Sequence, residues 1–580
     1  MILIGMVAVA LLETFAAGAI SFYAATVANP QAILADHLPR LEFVIPGITN
    51  LDIKRLITIL STGVVLIIIL KNAASAVTTY AARLFAANIS GYFGEYLLKG
   101  FLDMPYEWHL QHNSADLIQG IGWRVYLGNL ITAALKLLSD VLIVLILLTT
   151  LLIASPAISL LVFLTLGGTS LLIMRQVRHT MERLATAHRE YNTSINRQIT
   201  QSLHGVKEVK IYNRSTAFAE RYNQEVHAFA HADARFAFIN QVPGWLLEIM
   251  GVVMLSSSIW IMFFWFGDST VKITGTIALL AVTSWRVLPA MSRILNNSNS
   301  IRQALPYVHS VLSYLHEIPI SEITDQPHHQ GFRNDLRLEK ISFQYHGASR
   351  NALDDIDLTI KRGRTIGIIG TSGAGKSTLV DVIIGLLPPS AGRILLDGKE
   401  LDNPSLKAWQ ALIGYVPQTP YIAPASLAEN VAFGLRYSDI DFDKVMQCCH
   451  MAAMDDFLHQ LPDGLDSFIG ERGVKLSGGQ RQRVAIARAL YRDPEVIIFD
   501  EATSALDSKN EESIQQTIYS LKSKMTLIII AHRLSTVEDC DEIVWLENGR
   551  LRMMGESSKV LDAYAQSYTQ AQSSDIGSVS

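Results

Sequence analysis

The chain has 580 residues, 49% of them apolar and 17% charged, with a formal net charge of −5. That length exceeds what one hydrophobic core usually fills, so several domains are expected. So mild a charge gives no basis for a nucleic-acid partner, and Cys448, Cys449 and Cys540 lack metal-site spacing and read as reduced thiols.

The apolar excess belongs to the first half. A transmembrane helix takes about 20 mostly apolar residues. Six stretches qualify: Met1–Ala28, Leu56–Ala82, Gly128–Ile153, Ala157–Met174, Trp245–Phe266 and Val271–Arg293. The first has no basic start and runs too long for a cleaved signal, so it reads as a retained span. After it, "NPQAILADHLPRLEFVIPGIT" sets Leu34, Leu38, Leu41 and Ile45 on one face, with Asp36, His37, Arg40 and Glu42 between them. Two readings have equal standing: a short helix in the outer interface, broken at Pro39, or an ordinary ordered loop.

The segments Arg83–Val125 and Arg175–Gln241 are polar yet keep helical spacing, so they read as membrane helices continuing into the cytoplasm. The second is rich in Lys and Arg, including Arg178, Arg183, Arg197 and Lys207, whereas the turn after the fifth span is only "GDST". Basic connections stay inside, which puts both termini in the cytoplasm.

Charges recur within the spans. Counted from the outer ends at about 1.5 Å per residue, Arg286 lies roughly 20 Å deep, and Glu13, Lys71, Lys136 and Asp140 fall at a similar level. A charge at the bilayer centre costs about 3 kcal/mol on insertion scales, so it implies a partner or a function. Lys136 and Asp140 are spaced i, i+4 and can pair, and Glu13 can pair with Arg286, which leaves Lys71 without an obvious partner. Internal pairing that fixes helix packing is one reading. The other makes Arg286, Lys71, Lys136 and Arg293 candidate ligands for an anionic substrate.

The second half opens on "IGIIGTSGAGKSTLVDVIIGLL", a buried strand, a glycine-rich turn and a helix. Gly370, Thr371, Ser372, Gly373, Ala374, Gly375, Lys376, Ser377 and Thr378 form a Walker A run. Its backbone N–H groups suit phosphate oxygens, Lys376 the terminal phosphates and Ser377 a magnesium ion. In "EVIIFDEATSALD" a second apolar strand ends in two acids: Asp500, placed to hold magnesium through water, and Glu501, placed to orient and polarise the attacking water. In "LSGGQRQRVAIARAL", Ser477 caps a helix whose start, with Gly478, Gly479 and Gln480, suits an anion. The Walker A loop of the same chain already cradles the phosphates, so this second grip calls for a facing copy.

With these motifs the chain resembles an ABC transporter half-molecule of the exporter type over nearly all its length. The resemblance implies an all-α polytopic membrane domain of six transmembrane helices with long cytoplasmic extensions, followed by an α/β P-loop ABC ATPase. Domain limits expected from it are 1–318 for the membrane domain, 319–334 for a linker, 335–565 for the ATPase and 566–580 for a polar, disordered tail. It implies that Tyr345 in "FQY" stacks on adenine and that Gln418 in "IGYVPQ" touches magnesium. By the same likeness Asp507 in "SALD" belongs to the D-loop, His532 in "IIIAHR" contacts the γ-phosphate, and Gly470–Gly473 resembles the exporter X-loop. The elbows near Glu107–Ile118 and Gly205–Ser215 would be coupling helices. The resemblance further implies ATP and Mg²⁺ as cofactors, a homodimer, and a bacterial-type inner membrane with the ATPase in the cytoplasm. Exporters usually carry an elbow helix before the first span, so here it is either missing or upstream of Met1.

The segment after the first span is also similar to that of the lipid-linked oligosaccharide flippases of bacterial protein N-glycosylation. An ATP-driven exporter or flippase for a pyrophosphate-linked glycolipid is therefore the expectation. The alternatives are a multidrug or lipid exporter for hydrophobic substrates and, in another class, an ABC-gated channel or regulator.

Overall fold

The computed structural model describes residues 1–28, 53–154, 156, 160, 163–261, 263–264, 270–319, 331–470, 476–502, 508–522, 524–531 and 533–577. They form two units, Met1–Met104 with Trp108–Pro319, and Pro105–Glu107 with Ile320–Ser580. The segment 29–52, with its candidate interfacial helix, lies outside the described residues, as does most of the expected linker.

The first unit is helical. Its elements are α1 (Ile2–Ala28), α2 (Ile53–Asp103), α3 (Tyr106–Gln111), α4 (Ser114–Gly122), α5 (Arg124–Ala154), α6 (Gly168–His204), α7 (Val206–Ile211), α8 (Ser215–Ile261) and α9 (Thr270–Glu317). At 51 residues, α2 runs about 77 Å, more than twice the ~30 Å hydrocarbon thickness, so it leaves the bilayer as its polar second half requires. Among the described residues four segments are long and apolar enough to span: Ile2–Ala24, Lys54–Asp103, Ser114–Thr150 and Ser215–Ser257. The fourth expected span falls partly outside the described residues, and the backbone of α9 contains the sixth.

Lipid tails are as apolar as leucine, so helices in a membrane associate through close packing. Gly251 lets α8 close on α9, since a Cβ there would stand 2.5 Å from Leu288 Cδ1. Ala10 and Ala17 of α1, Ile143 and Leu147 of α5, Leu247 and Met254 of α8, and Val287 and Leu295 of α9 make one buried cluster. A second, toward the cytoplasmic ends, joins Leu97, Phe101, Leu117, Trp123, Tyr307 and Val311. At its centre the Tyr307 ring stacks on Tyr126 with centroids 3.7 Å apart, and its hydroxyl lies 2.8 Å from His188 Nδ1.

The charge pairs in the spans differ from expectation. Lys71 Nζ lies 2.8 Å from Glu13 Oε2, so Lys71 has a partner and α1 is tied to α2. Asp140 is bound by α9, through Arg293 Nε at 2.7 Å and Asn297 Nδ2 at 3.2 Å, not by Lys136 along its own helix. The physical reason is geometric: Arg293 and Asn297 lie one turn apart and present two donors to one carboxylate. A lysine preceding an acid by four residues is the weaker helical order. The side chain of Arg286 lies outside the described residues.

The second unit holds two sheets. Strands β1 (Asp335–Phe343), β2 (Leu353–Lys361), β4 (Ala391–Leu396) and β5 (Lys399–Glu400) form an antiparallel sheet in the order β2-β1-β4-β5. Strands β3 (Thr365–Ile369), β6 (Ile413–Val416), β7 (Val496–Asp500), β8 (Thr526–Ile530), β9 (Glu542–Glu547) and β10 (Arg550–Gly555) form the other, ordered β10-β9-β3-β8-β7-β6. All its pairings are parallel except β9 with β10. Strands β3 and β8 are buried at every position, which is why they read as unbroken apolar runs. Helices α10 (Lys376–Ile384) and α11 (Gly478–Leu490) pack on it, and α12 (Ser557–Gly577) closes the unit. The tail expected to be disordered over 566–580 is helical as far as Gly577, in a stretch without proline or internal glycine to stop it.

Candidate nucleotide site

The Walker A loop joins β3 to α10. Gly370 adopts φ 153° and Gly375 φ 98°. A Cβ at Gly370 would stand 2.3 Å from Leu546 O, and one at Gly375 2.6 Å from Ala352 O, so only glycine lets the chain turn there. The turn aims the first N–H groups of α10 into an open cradle, where they and the helix dipole suit phosphate. Lys376 is buried and its Nζ donates to Gly370 O at 2.9 Å and Thr371 O at 3.2 Å. Burial pushes its pKa down, while the carboxylates of Glu501 and Asp500 pull it back. Its ammonium is held across the cradle by weak neutral acceptors that a phosphate can displace.

The acidic end of the site follows from strand register. Val416 of β6 lies opposite Phe499 of β7, so the residues just beyond each strand reach the same level. Gln418 accordingly donates its Nε2–H to Glu501 Oε2 at 2.7 Å. Glu501 holds a left-handed backbone at φ 49°, uncommon for a residue with a Cβ. Tyr415 donates its hydroxyl to Asp500 Oδ2 at 3.1 Å. Asp381, on α10, is pushed up to about 6, first by burial and then by the charge of Asp500. Tyr415 and Asp381 carry no motif, and sequence reading missed both; "IGYVPQ" contained the tyrosine without showing what it reaches.

Magnesium fits this donor set. The exposed Ser377 hydroxyl opens α10, Asp500 ends β7, and Gln418 offers an amide oxygen, all hard oxygen donors of the kind the ion prefers. Tyr345 lies edge-on to Phe343, and its hydroxyl is 3.1 Å from Thr378 Oγ1, so the ring stands beside the Walker A helix.

Ser477 caps α11: its Oγ accepts from Gln480 N at 3.2 Å, and Gln480 Oε1 accepts from Ser477 N at 2.8 Å. This capping box fixes the helix start so that Gly478 and Gly479 present N–H groups without side chains in the way. Asp507, His532 and residues 471–475, including most of the X-loop, lie outside the described residues.

Of the residues proposed to meet substrate, Lys71 and Arg293 are in ion pairs, whereas Lys136 forms none among the described residues. Glu248, exposed on α8 within the fifth expected span, is a further carboxylate that the sequence reading did not weigh.

Comparison with known proteins places these features. The profile of the ABC transporter family matches residues 353–504, and that of the ABC transporter transmembrane region matches residues 5–287. The chain is 31% identical over 472 residues to the ATP-dependent lipid A-core flippase of Ralstonia nicotianae, spanning 80% of this chain and 79% of that protein. It is 29% identical over 495 residues to the protein of that name from Nitrosococcus oceani, spanning 85% and 82%. In fold it matches a bacterial Atm1-family ABC exporter with ATP bound, with a TM-score of 0.80 over 98% of both chains at 22% identity.

Proposed function

Because the chain belongs to the ABC transporter family and carries transmembrane region and ATPase on one polypeptide, we propose that it is a homodimeric flippase for an anionic-headed lipid, best matched by a pyrophosphate-linked glycolipid. It is an exporter-type, multi-pass inner-membrane protein that couples ATP hydrolysis to transport, with its ATPase in the cytoplasm. The observation that carries the substrate reading is the charge within the spans. The cations Lys71, Lys136, Arg286 and Arg293 outnumber the carboxylates Glu13, Asp140 and Glu248. A neutral hydrophobic cargo gains nothing from that excess, whereas a phosphate gains charge-assisted hydrogen bonds. The similar proteins named for flipping a lipid support the same reading.

In this reading ATP lies between the Walker A loop of one copy and the α11 start of the other. Tyr345 stacks on adenine, and Lys376 exchanges its carbonyl partners for the terminal phosphates. Ser477, Gly478, Gly479 and Gln480 of the facing copy close on the γ-phosphate, with His532 and Asp507 completing the enclosure. Glu501 orients the attacking water and draws off its proton as the new P–O bond forms and the bond to the β-phosphate oxygen breaks. Ser377, Gln418 and, through water, Asp500 would hold magnesium, which would supply neutralisation of charge on the phosphates. Closure needs ATP in both grips, and hydrolysis releases it, which couples the nucleotide cycle to the membrane helices.

Transport by the purified protein in proteoliposomes tests the reading, with a polyprenyl-pyrophosphate oligosaccharide and a hydrophobic drug as competing cargoes. ATP-dependent flipping of the first is expected. Transport of the drug alone would establish the exporter of hydrophobic compounds instead, and flux down a gradient without turnover would establish a channel.

A further inference from the structure

A cavity of about 610 Å³ opens between α2, α5 and α9, within the ~300–1,000 Å³ typical of small-molecule sites. Its charged lining residues are Arg83, Arg124 and Lys136, and among the described residues no Asp or Glu lines it. Asn129, Asn297 and Gln303 add amides to the wall. None of the three cations forms an ion pair among the described residues. Asp140, one turn beyond Lys136, has its oxygens engaged by Arg293 and Asn297.

The cavity is a built feature. Ser90 Oγ donates to Arg124 O at 2.8 Å, which pins the start of α5 to α2. Gly94 leaves the space in which the Arg124 side chain lies, since a Cβ there would stand 2.4 Å from Arg124 Cδ. Ser90 is buried and Arg124 half-buried, so the guanidinium is seated and not a free surface charge. Its place in the membrane follows from the chain. Arg83 is the first charge after the apolar run of α2, and Arg124 opens α5. Lys136 lies 12 residues further along α5, about 18 Å deeper. The three cations therefore line a path from the cytoplasmic boundary into the inner leaflet, and cations at that depth call for water or a counter-anion.

We propose that this cavity is the entry site for the pyrophosphate of the lipid substrate, filled from the inner leaflet before the head group meets the other charges within the spans. This rests on the flippase reading and deepens it. Of those other charges, Lys71 and Arg293 already have carboxylate partners, so the cavity offers the better seat for a new anion. Guanidinium donates two parallel hydrogen bonds to phosphate oxygens, and lysine adds a point charge.

The test is binding to the nucleotide-free full-length protein in nanodiscs of neutral phosphatidylcholine, with three probes: a polyprenyl pyrophosphate, the matching polyprenol, and inorganic pyrophosphate. Wild type should prefer the pyrophosphate lipid to the polyprenol. The double variant Arg124→Gln/Lys136→Gln should lose at least about tenfold in affinity for the pyrophosphate lipid, with Arg124→Lys in between. Arg178→Gln, an exposed position on α6 paired with Glu182, should bind as wild type does. If the double variant fails to fold, the exposed Arg83→Gln takes its place, with a loss of about threefold expected. Equal affinity for inorganic pyrophosphate and the lipid keeps the anion site and identifies a free phosphate compound as its occupant. Wild-type affinity in the variants, no preference over polyprenol, or no binding of either pyrophosphate overturns the proposal. The two readings fail separately. A protein that flips the lipid while its variants bind normally loses only the cavity, and one that flips no pyrophosphate lipid yet binds pyrophosphate through Arg124 loses only the flippase reading.

Discussion

Gln418 donates its Nε2–H to Glu501 Oε2 at 2.7 Å, and this bond spans the ends of two adjacent parallel strands. It engages the carboxylate expected to hold the attacking water. In the proposed mechanism Glu501 would exchange this bond for the attacking water.

Glu501→Gln should leave ATP binding intact, trap the closed dimer and cut turnover at least about tenfold, roughly 1.4 kcal/mol in the barrier. The amide still fills the space but no longer takes the proton. Phosphate release by the purified variant measures this, and near-normal hydrolysis would remove Glu501 from its role.

Ser477→Arg should abolish turnover while its own Walker A loop still binds nucleotide. The substitution breaks the capping box, at about 1 kcal/mol, and puts a long side chain where the proposed mechanism seats the facing copy's phosphate. Mixed with Lys376→Ala, it places both lesions in one composite site and leaves the other intact. Hydrolysis regained in the mixture supports sites shared between chains; none regained means that sites are not shared or that both must fire together.

Arg286→Ala should slow flipping of a pyrophosphate lipid in proteoliposomes, with Arg286→Lys intermediate, because the charge remains and the two-pronged donor is lost. A wild-type rate in the alanine variant would leave the arginine as a packing partner only.

Glu13 and Lys71 should behave as a unit. Their side chains are each 15% exposed, and removing Glu13 takes from Lys71 its ion-pair partner across α1 and α2. Glu13→Gln alone should destabilise by about 3 kcal/mol, and Glu13→Gln/Lys71→Gln by clearly less. Additive losses in thermal unfolding would show that the pair is not coupled.

Asp381 holds its proton up to about pH 6 in the folded unit, against an ordinary value of 3.8. Its folded pKa is raised, so the stability it contributes is full below the unfolded value and is lost as pH rises through about 6. Without nucleotide and magnesium, Asp381→Asn should therefore raise the unfolding temperature more around pH 8 than around pH 5. An equal shift at both would show that Asp381 is ionised throughout.

What the sequence determined by itself was everything set by neighbours along the chain. Hydropathy marked the four spans found among the described residues, because crossing lipid is a demand on some 20 consecutive residues. The glycines and Lys376 marked the turn between β3 and α10, because that backbone needs glycine at Gly370 and Gly375 and all of it lies in one short run. Ser477 and Gln480 marked a helix start for the same reason. Tertiary structure alone decided the partners. Glu13 pairs with Lys71, and Asp140 with Arg293, because helix rotation and depth select which charges meet, and spacing within one helix is silent about competitors on another. Strand register brought Gln418 to Glu501 and Tyr415 to Asp500 across more than 80 residues. The cationic cavity exists because Ser90 and Gly94 seat Arg124 between helices, and packing of that kind leaves no local pattern to read.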